Sequence, residues 1–237
     1  MINIKRLFFV SSFFLCFLSV SILQAQKINQ FDANKKRTGV WRKYYPNKKL
    51  RYTGQFKDGK EVGTFKFYNI KNSKFPDIIK VFQHNSDSVL VSYYYPNQKL
   101  KGKGMMLGRK KVGKWNYYFN NGKKFSEETY KEGKLDGVFL VYYKKTGKIA
   151  EKSEYIGGKL HGNSKIYADN GVLIEAVTYR NGLPNGWATY YDLQGKLKEK
   201  GQYKNGVRIG KWEYYLDGKL VTKKKKKEQL KNKIQNK

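Results

Sequence analysis

A tyrosine returns at a nearly fixed interval along most of this chain. Tyr44, Tyr68, Tyr94, Tyr118, Tyr142, Tyr167, Tyr191 and Tyr215 are separated by 24, 26, 24, 24, 25, 24 and 24 residues. A period of that length marks a repeat architecture, in which one small unit stacks on copies of itself. Each tyrosine is the fifth residue after a unit start: Gly39, Gly63, Val89, Gly113, Gly137, Gly162, Gly186 or Gly210. The strongest copies carry Gly39-Val40-Trp41, Gly113-Lys114-Trp115 and Gly210-Lys211-Trp212, so the unit reads G-x-W-x-x-Y.

Each unit has two halves. In the first, Trp115, Tyr117 and Phe119 alternate with Asn116 and Tyr118, the period-two pattern of a strand. A Gly turn follows, as in Asn121-Gly122-Lys123 or Asp217-Gly218-Lys219, and Asn-Gly supplies the positive φ of a tight hairpin. The second half runs back, for example from Leu173 to Tyr179, into another Gly turn such as Asp58-Gly59 or Asn181-Gly182. One repeat is therefore one β-hairpin. The fold class expected is all-β: an elongated single-layer antiparallel sheet of about eight consecutive hairpins. No helical pattern is available to cover it, so both faces must be partly wet, which suits amphipathic tyrosine rings. Trp41, Trp115 and Trp212 are expected on one face and the eight recurring tyrosines on the other. The third copy is the poorest, with Val89 for Gly and Val91 for Trp, and Phe75-Pro76 interrupts a strand before it.

The unit G-x-W-x-x-Y-Y-x-N-G-K, followed by Y-x-x-G-K, resembles the MORN-repeat variants of bacterial proteins, over about residues 39–222. The resemblance implies an interaction or scaffolding module built of β-hairpins, with no cofactor. Some bacterial members are labelled antitoxin components, a role that requires a chain retained in the cytosol. Lipid binding proposed for MORN proteins maps onto no single residue here.

The N-terminus points the other way. Lys5 and Arg6 precede an apolar run, Leu7 to Ile22, and Leu23-Gln24-Ala25 offers a cleavage site. This is the layout of a secretory signal peptide, with an uncleaved membrane anchor as the alternative. The expected organisation is a leader over 1–25, a lead-in over 26–38, the repeat domain over 39–222 and a Lys-rich tail over 223–237. Cys16 would leave with the leader.

Catalytic equipment is sparse. His84 falls in the irregular second copy and His161 is expected in a turn. Glu127 and Glu128 are adjacent on a strand and so point to opposite faces. Gly54-Gln55-Phe56-Lys57-Asp58-Gly59-Lys60 starts like a P-loop, but Glu61 replaces the Ser/Thr that would hold Mg²⁺. No catalytic, cofactor or metal site is expected. Charge is the stronger property. The chain carries +32, of which +7 lies in residues 223–237, where Lys223, Lys224, Lys225, Lys226 and Lys227 are consecutive. Such a field attracts anionic lipid, glycan or nucleic acid. Export and the excess of 43 Lys over 7 Arg argue against nucleic acid. The functional expectation is an exported, non-enzymatic scaffold for a protein partner. The alternatives are an envelope-associated binder of anionic surfaces through its Lys-rich edges, and an antitoxin-like binder in a chain that is not exported.

Overall fold

The structure is a computed structural model and describes residues 27–71, 73–83, 86–225 and 227–228. The expected leader over 1–25, Cys16 and His84 lie outside the described residues.

A two-residue strand, β1 (Gln30–Phe31), precedes eight hairpins. The first four are β2 (Arg37–Tyr44) with β3 (Leu50–Lys57), β4 (Lys60–Tyr68) with β5 (Pro76–Phe82), β6 (Ser88–Tyr94) with β7 (Leu100–Leu107), and β8 (Lys110–Tyr118) with β9 (Lys124–Lys131). The next two are β10 (Lys134–Tyr142) with β11 (Ile149–Ile156), and β12 (Lys159–Tyr167) with β13 (Leu173–Arg180). The last two are β14 (Leu183–Tyr191) with β15 (Leu197–Lys204), and β16 (Val207–Leu216) with β17 (Lys219–Val221). Each strand pairs antiparallel with its neighbours in sequence, giving one open sheet. At about 4.8 Å per strand the ribbon is about 75 Å long. Helix is confined, among the described residues, to 223–225 and 227–228.

The two long edges of the ribbon use different turns. Along one edge two residues suffice: Asp58 and Gly59 have φ of 53° and 80°, and Asn205-Gly206 repeats them with 49° and 83°. Those are type I′ turns, which match the right-handed twist of the strands. The other edge departs from the tight hairpin expected at Asn121-Gly122. Phe119 N–H donates to Lys123 O at 2.8 Å and Gly122 N–H to Phe119 O at 2.8 Å, closing a longer loop. The Asn121 side chain accepts the Lys123 N–H at 3.1 Å, so Asn121 stays at negative φ and Gly122 alone turns over, with φ of 87°. His161 also departs from expectation. It sits half-buried inside β12, because Gly157-Gly158 already completes the turn. Pro76 is the first residue of β5, where a strand tolerates a missing N–H.

Most of the core follows one row of residues crossing the sheet, with Phe56, Ser126 and Ala168 buried beside it. It runs Phe65–Lys80–Val91–Gly104, and then Trp115–Glu128–Phe139–Ser153–Ser164–Val177–Ala188–Gly201. Where the register shifts, a ring lies over a glycine of the preceding strand. A Cβ on Gly54 would stand 2.3 Å from the Phe65 ring, one on Gly104 2.3 Å from Trp115, and one on Gly201 2.3 Å from Trp212. Where the preceding residue is larger, the row carries Ser164 after Ser153 and Ala188 after Val177. Size is thus matched between neighbours, and Trp115, Ser153 and Ala188 are each 0 % exposed.

Side chains also tie each repeat to the next. The hydroxyls of Tyr45, Tyr95 and Tyr143 donate to the carbonyls of Tyr68, Tyr118 and Tyr167 at 2.8, 2.9 and 2.8 Å. Lys49, Lys123 and Lys148 donate from Nζ to the carbonyls of Lys71, Lys145 and Asn170 in the following turn. At the start of the sheet, Asn29 and β1 cover the outer edge of β2. Asn29 N–H donates to Val40 O at 2.8 Å and its Oδ1 accepts from Arg42 N–H at 2.8 Å. Capping of this kind protects an open sheet from edge pairing.

Candidate functional site on the two sheet faces

Strand pairing assigns every side chain to a face. Residues paired across neighbouring strands share a face, and alternate residues share one along a strand. By this rule Trp41, Trp115 and Trp212 lie on one face, here the tryptophan face. Tyr44, Tyr68, Tyr94, Tyr118, Tyr142, Tyr167, Tyr191 and Tyr215 each follow a residue of that face and lie on the other, the tyrosine face. No second layer covers either face among the described residues.

On the tryptophan face of the first half, rings form a connected path. Phe31 meets Trp41 at 5.2 Å, Trp41 meets Phe56 at 5.7 Å, Phe56 meets Phe65 at 5.2 Å and Phe65 meets Phe82 at 5.5 Å. Further along, Trp115 contacts Tyr93 and Tyr117, each at 6.0 Å. Edge-on and offset contacts of this kind are the favoured aromatic geometries. In the third copy Val91 replaces the large ring. A hollow of about 420 Å³ opens beside it, with Phe82, Val89, Val91 and Met106 among its walls and Lys80 and Glu61 at its rim.

A cation two residues before the unit start lies over each of Trp41, Trp115 and Trp212. Arg37, Lys111 and Arg208 stand 5.0, 4.9 and 3.9 Å from the ring centres of Trp41, Trp115 and Trp212. Lys111 is the most enclosed. Its Nζ bonds the Tyr117 hydroxyl and lies 4.7 Å from the centre of the Tyr130 ring. Burial pushes the Lys111 ammonium below its ordinary value, opposed by the charge of Glu128. Glu128 in turn accepts from Tyr130 at 2.6 Å and Ser126 at 2.9 Å. Burial and then Glu128 raise the phenols of Tyr117 and Tyr130, so both stay neutral at ordinary pH. This is a satisfied structural cage, filled by the chain's own lysine. The indole N–H groups of Trp41 and Trp115 donate to Thr38 O at 3.1 Å and Met105 O at 2.9 Å.

The tyrosine face is the basic one. One row across it holds Arg42, Lys66, Lys103, Lys152, Lys165 and Lys200. Tyr44 is exposed and the other seven recurring tyrosines are half-buried. Tyr142 donates to Glu127 at 2.7 Å, and Tyr215 donates to Glu213. Glu127 and Glu128 therefore face apart and cannot share a substrate. No group of three metal-ligating side chains occurs among the described residues. Lys223, Lys224, Lys225 and Lys227 are exposed at the start of the tail, and Lys226 lies outside the described residues.

Three features of these faces escaped the reading by repeat. The cations Arg37, Lys111 and Arg208 were signalled by their constant offset from Gly39, Gly113 and Gly210. The glycines Gly54, Gly104 and Gly201 share a place fifteen residues after Gly39, Val89 and Gly186. Trp187 follows Gly186 directly, one place early. It therefore falls on the tyrosine face and is 58 % exposed.

The MORN repeat variant family matches residues 37–58, 111–132, 160–181 and 184–205. Each match starts at the position two before the unit glycine and ends in the second turn, so the family's unit is one hairpin of this sheet. No curated protein matches the chain.

Proposed function

We propose that this protein, four of whose hairpins are MORN repeat variants, is an exported, non-catalytic scaffold that holds a protein partner across its tryptophan face. One observation carries this reading: the connected rings from Phe31 to Phe82 lie on a face with no second layer over it among the described residues, and although Phe56 and Phe65 are buried within the sheet, Phe31 is exposed and Trp41, Phe67 and Phe82 are half-buried at its surface. Large uncovered aromatic surfaces are where protein partners dock, and aromatic side chains supply most of the binding energy there. The hollow beside Val91 gives that surface a place to receive a protruding side chain. The leader pattern in residues 1–25 supports export, and the repeat type supports binding over chemistry.

The test is site-specific photo-crosslinking in the native host. A photoreactive residue at Phe67, Phe82 or Tyr93 should trap one protein, while the same residue at Arg42, Lys66 or Ser92 on the opposite face should not. Adducts formed only from the second set would overturn the assignment of the face.

A second reading rests on the basic row of the tyrosine face, Arg42 to Lys200. That row favours attachment to an anionic surface, leaving the rings free for the protein partner. Co-sedimentation with anionic vesicles should fall steeply as salt is raised and should be unaffected by Phe67→Ala. Salt-insensitive sedimentation, or its loss in Phe67→Ala, counts against it.

A further inference from the structure

In the last four hairpins the tryptophan face changes character. A second row of directly paired residues crosses it: Glu151–Ile166–Glu175–Tyr190–Glu199–Tyr214–Val221. Beside it Tyr155, Tyr179 and Tyr203 repeat at the same interval. Within this stretch the paired lysines Lys152, Lys159, Lys165, Lys200 and Lys204 lie on the opposite face, while Lys219, paired with Leu216 in the last strand pair, and Arg208 lie on this one. So a chain with a net charge of +32 presents a row of carboxylates, spaced two strands or about 10 Å apart, on its aromatic side.

These carboxylates are poorly compensated. Glu199 pairs with Arg208 at 2.9 Å. No ion pair reaches Glu151 or Glu175 among the described residues. Both are half-buried. Burial, and then the charge of Glu151, raises the Glu175 carboxyl above its ordinary value. A half-buried carboxylate without a counter-charge is costly to keep ionised.

The row has a direction. Its last residue, Val221, ends β17, and Thr222 leads straight into the Lys-rich segment 223–237, which has eight lysines and one glutamate. The segment therefore leaves the sheet beside the last residue of the acidic row. From Val221 the row reaches Glu175 after four strand spacings, about 19 Å, and Glu151 after six, about 29 Å. Fifteen residues span about 22 Å as a helix and about 50 Å extended. Lys226 and the nine residues beyond 228 are the part of the segment outside the described residues, and Lys231, Lys233 and Lys237 are among them.

We propose that the Lys-rich segment 223–237 lies back across the tryptophan face of the last four hairpins, its lysines serving as counter-ions for Glu175 and Glu151. Charge complementarity, length and point of departure all favour this occupant. It leaves the aromatic path of the first half uncovered, so it is compatible with a partner there and independent of one.

Two measurements on the full chain test it. Zero-length carbodiimide coupling at low salt, read by mass spectrometry, should join lysines beyond Lys227 to Glu175 and Glu151 within one copy, independently of protein concentration. Trypsin should cut after Lys231 and Lys233 slowly at low salt and about tenfold faster in Glu151→Gln/Glu175→Gln, since neutral amides keep the shape and remove the charge. Glu127→Gln/Glu213→Gln, on the opposite face, should leave the cutting rate unchanged. Cross-links only between copies, cross-links to Glu127 or Glu213 instead, or a cutting rate unaltered by the Glu151 and Glu175 changes would each overturn the proposal.

Discussion

The indole of Trp115 lies against the Cα of Gly104, so close that a Cβ there would stand 2.3 Å from the ring. Gly104 belongs to β7 and Trp115 to β8, so the contact joins two hairpins. It explains why Trp115 is fully buried in a sheet that has no second layer among the described residues: the neighbouring repeat supplies a missing side chain as its seat.

Gly104→Ala should therefore destabilise the protein by about 1–3 kcal/mol, the usual cost of overpacking. The ring must lift from its seat and break the indole N–H bond to Met105 O. Gly201→Ala should cost less, because Trp212 is only half-buried near the end of the array and can move outward. Urea melts of the two variants decide this. Equal losses would mean that the seat is not what holds the ring.

Trp115→Ala tests the same contact from the other side. The ring is 0 % exposed, so its loss should cost about 3–5 kcal/mol. Trp212→Ala should cost clearly less, since no full strand lies beyond β16 on that side and fewer repeats depend on it. Native-state hydrogen exchange should show Trp212→Ala loosening the last hairpin alone.

The bond from Tyr142 to Glu127 sets two pH limits. Hydrogen bonds from Lys124 and then Tyr142 hold Glu127 below the ordinary carboxylate value of 4.5. Its stabilisation is therefore present above about pH 4.5 and is lost as pH falls through the folded pKa. Burial and then the bond to Glu127 push Tyr142 from 10.0 up to about 12. That stabilisation is present below about pH 10 and is lost as pH rises through 12. Glu127→Gln should flatten the fall in Tm between about pH 5 and pH 3, and Tyr142→Phe the fall above about pH 10. An acid limb that is unchanged in Glu127→Gln would remove Glu127 from the account.

Much of this fold is legible in the residues because the array multiplies weak local signals. One Asn-Gly turn or one alternating strand says little, but eight in register specify hairpin, period and face. The turn at Asn121-Gly122 was harder to read because Asn can turn in two ways. A side chain that accepts its own backbone N–H two residues on keeps Asn121 at negative φ, and this competes with the type I′ geometry. Gly104 was invisible as a seat because its role depends on Trp115 in another hairpin, across a register shift that no periodicity encodes. The acidic row was hidden for a similar reason. Glu151, Glu175 and Glu199 are ordinary surface residues in a basic chain until strand pairing puts them in one line on the aromatic side. Only the position of Val221 in that line connects them to the lysines that follow it.

Neighbouring repeats also hold each other through side chains. Tyr45, Tyr95 and Tyr143 occupy the same place in the first, third and fifth hairpins, and each donates to a carbonyl of the next hairpin. The hydroxyl is a small part of the side chain, so replacement by Phe keeps the ring and removes the bond. Each bond should be worth about 1 kcal/mol. The three sites are four strands apart, about 19 Å, and share no partner, so their effects should add to within about 0.5 kcal/mol. The triple variant should then lose about 3 kcal/mol in urea melts. Their local signatures should differ. Tyr143→Phe and Tyr95→Phe lie inside the array and should lower the stability of the whole, while Tyr45→Phe should first release the hairpin at the start of the sheet. Hydrogen exchange resolved by residue distinguishes these cases. Losses well below about 0.3 kcal/mol at all three sites would mean that water replaces the hydroxyl at the carbonyl, and that the strands alone couple one repeat to the next.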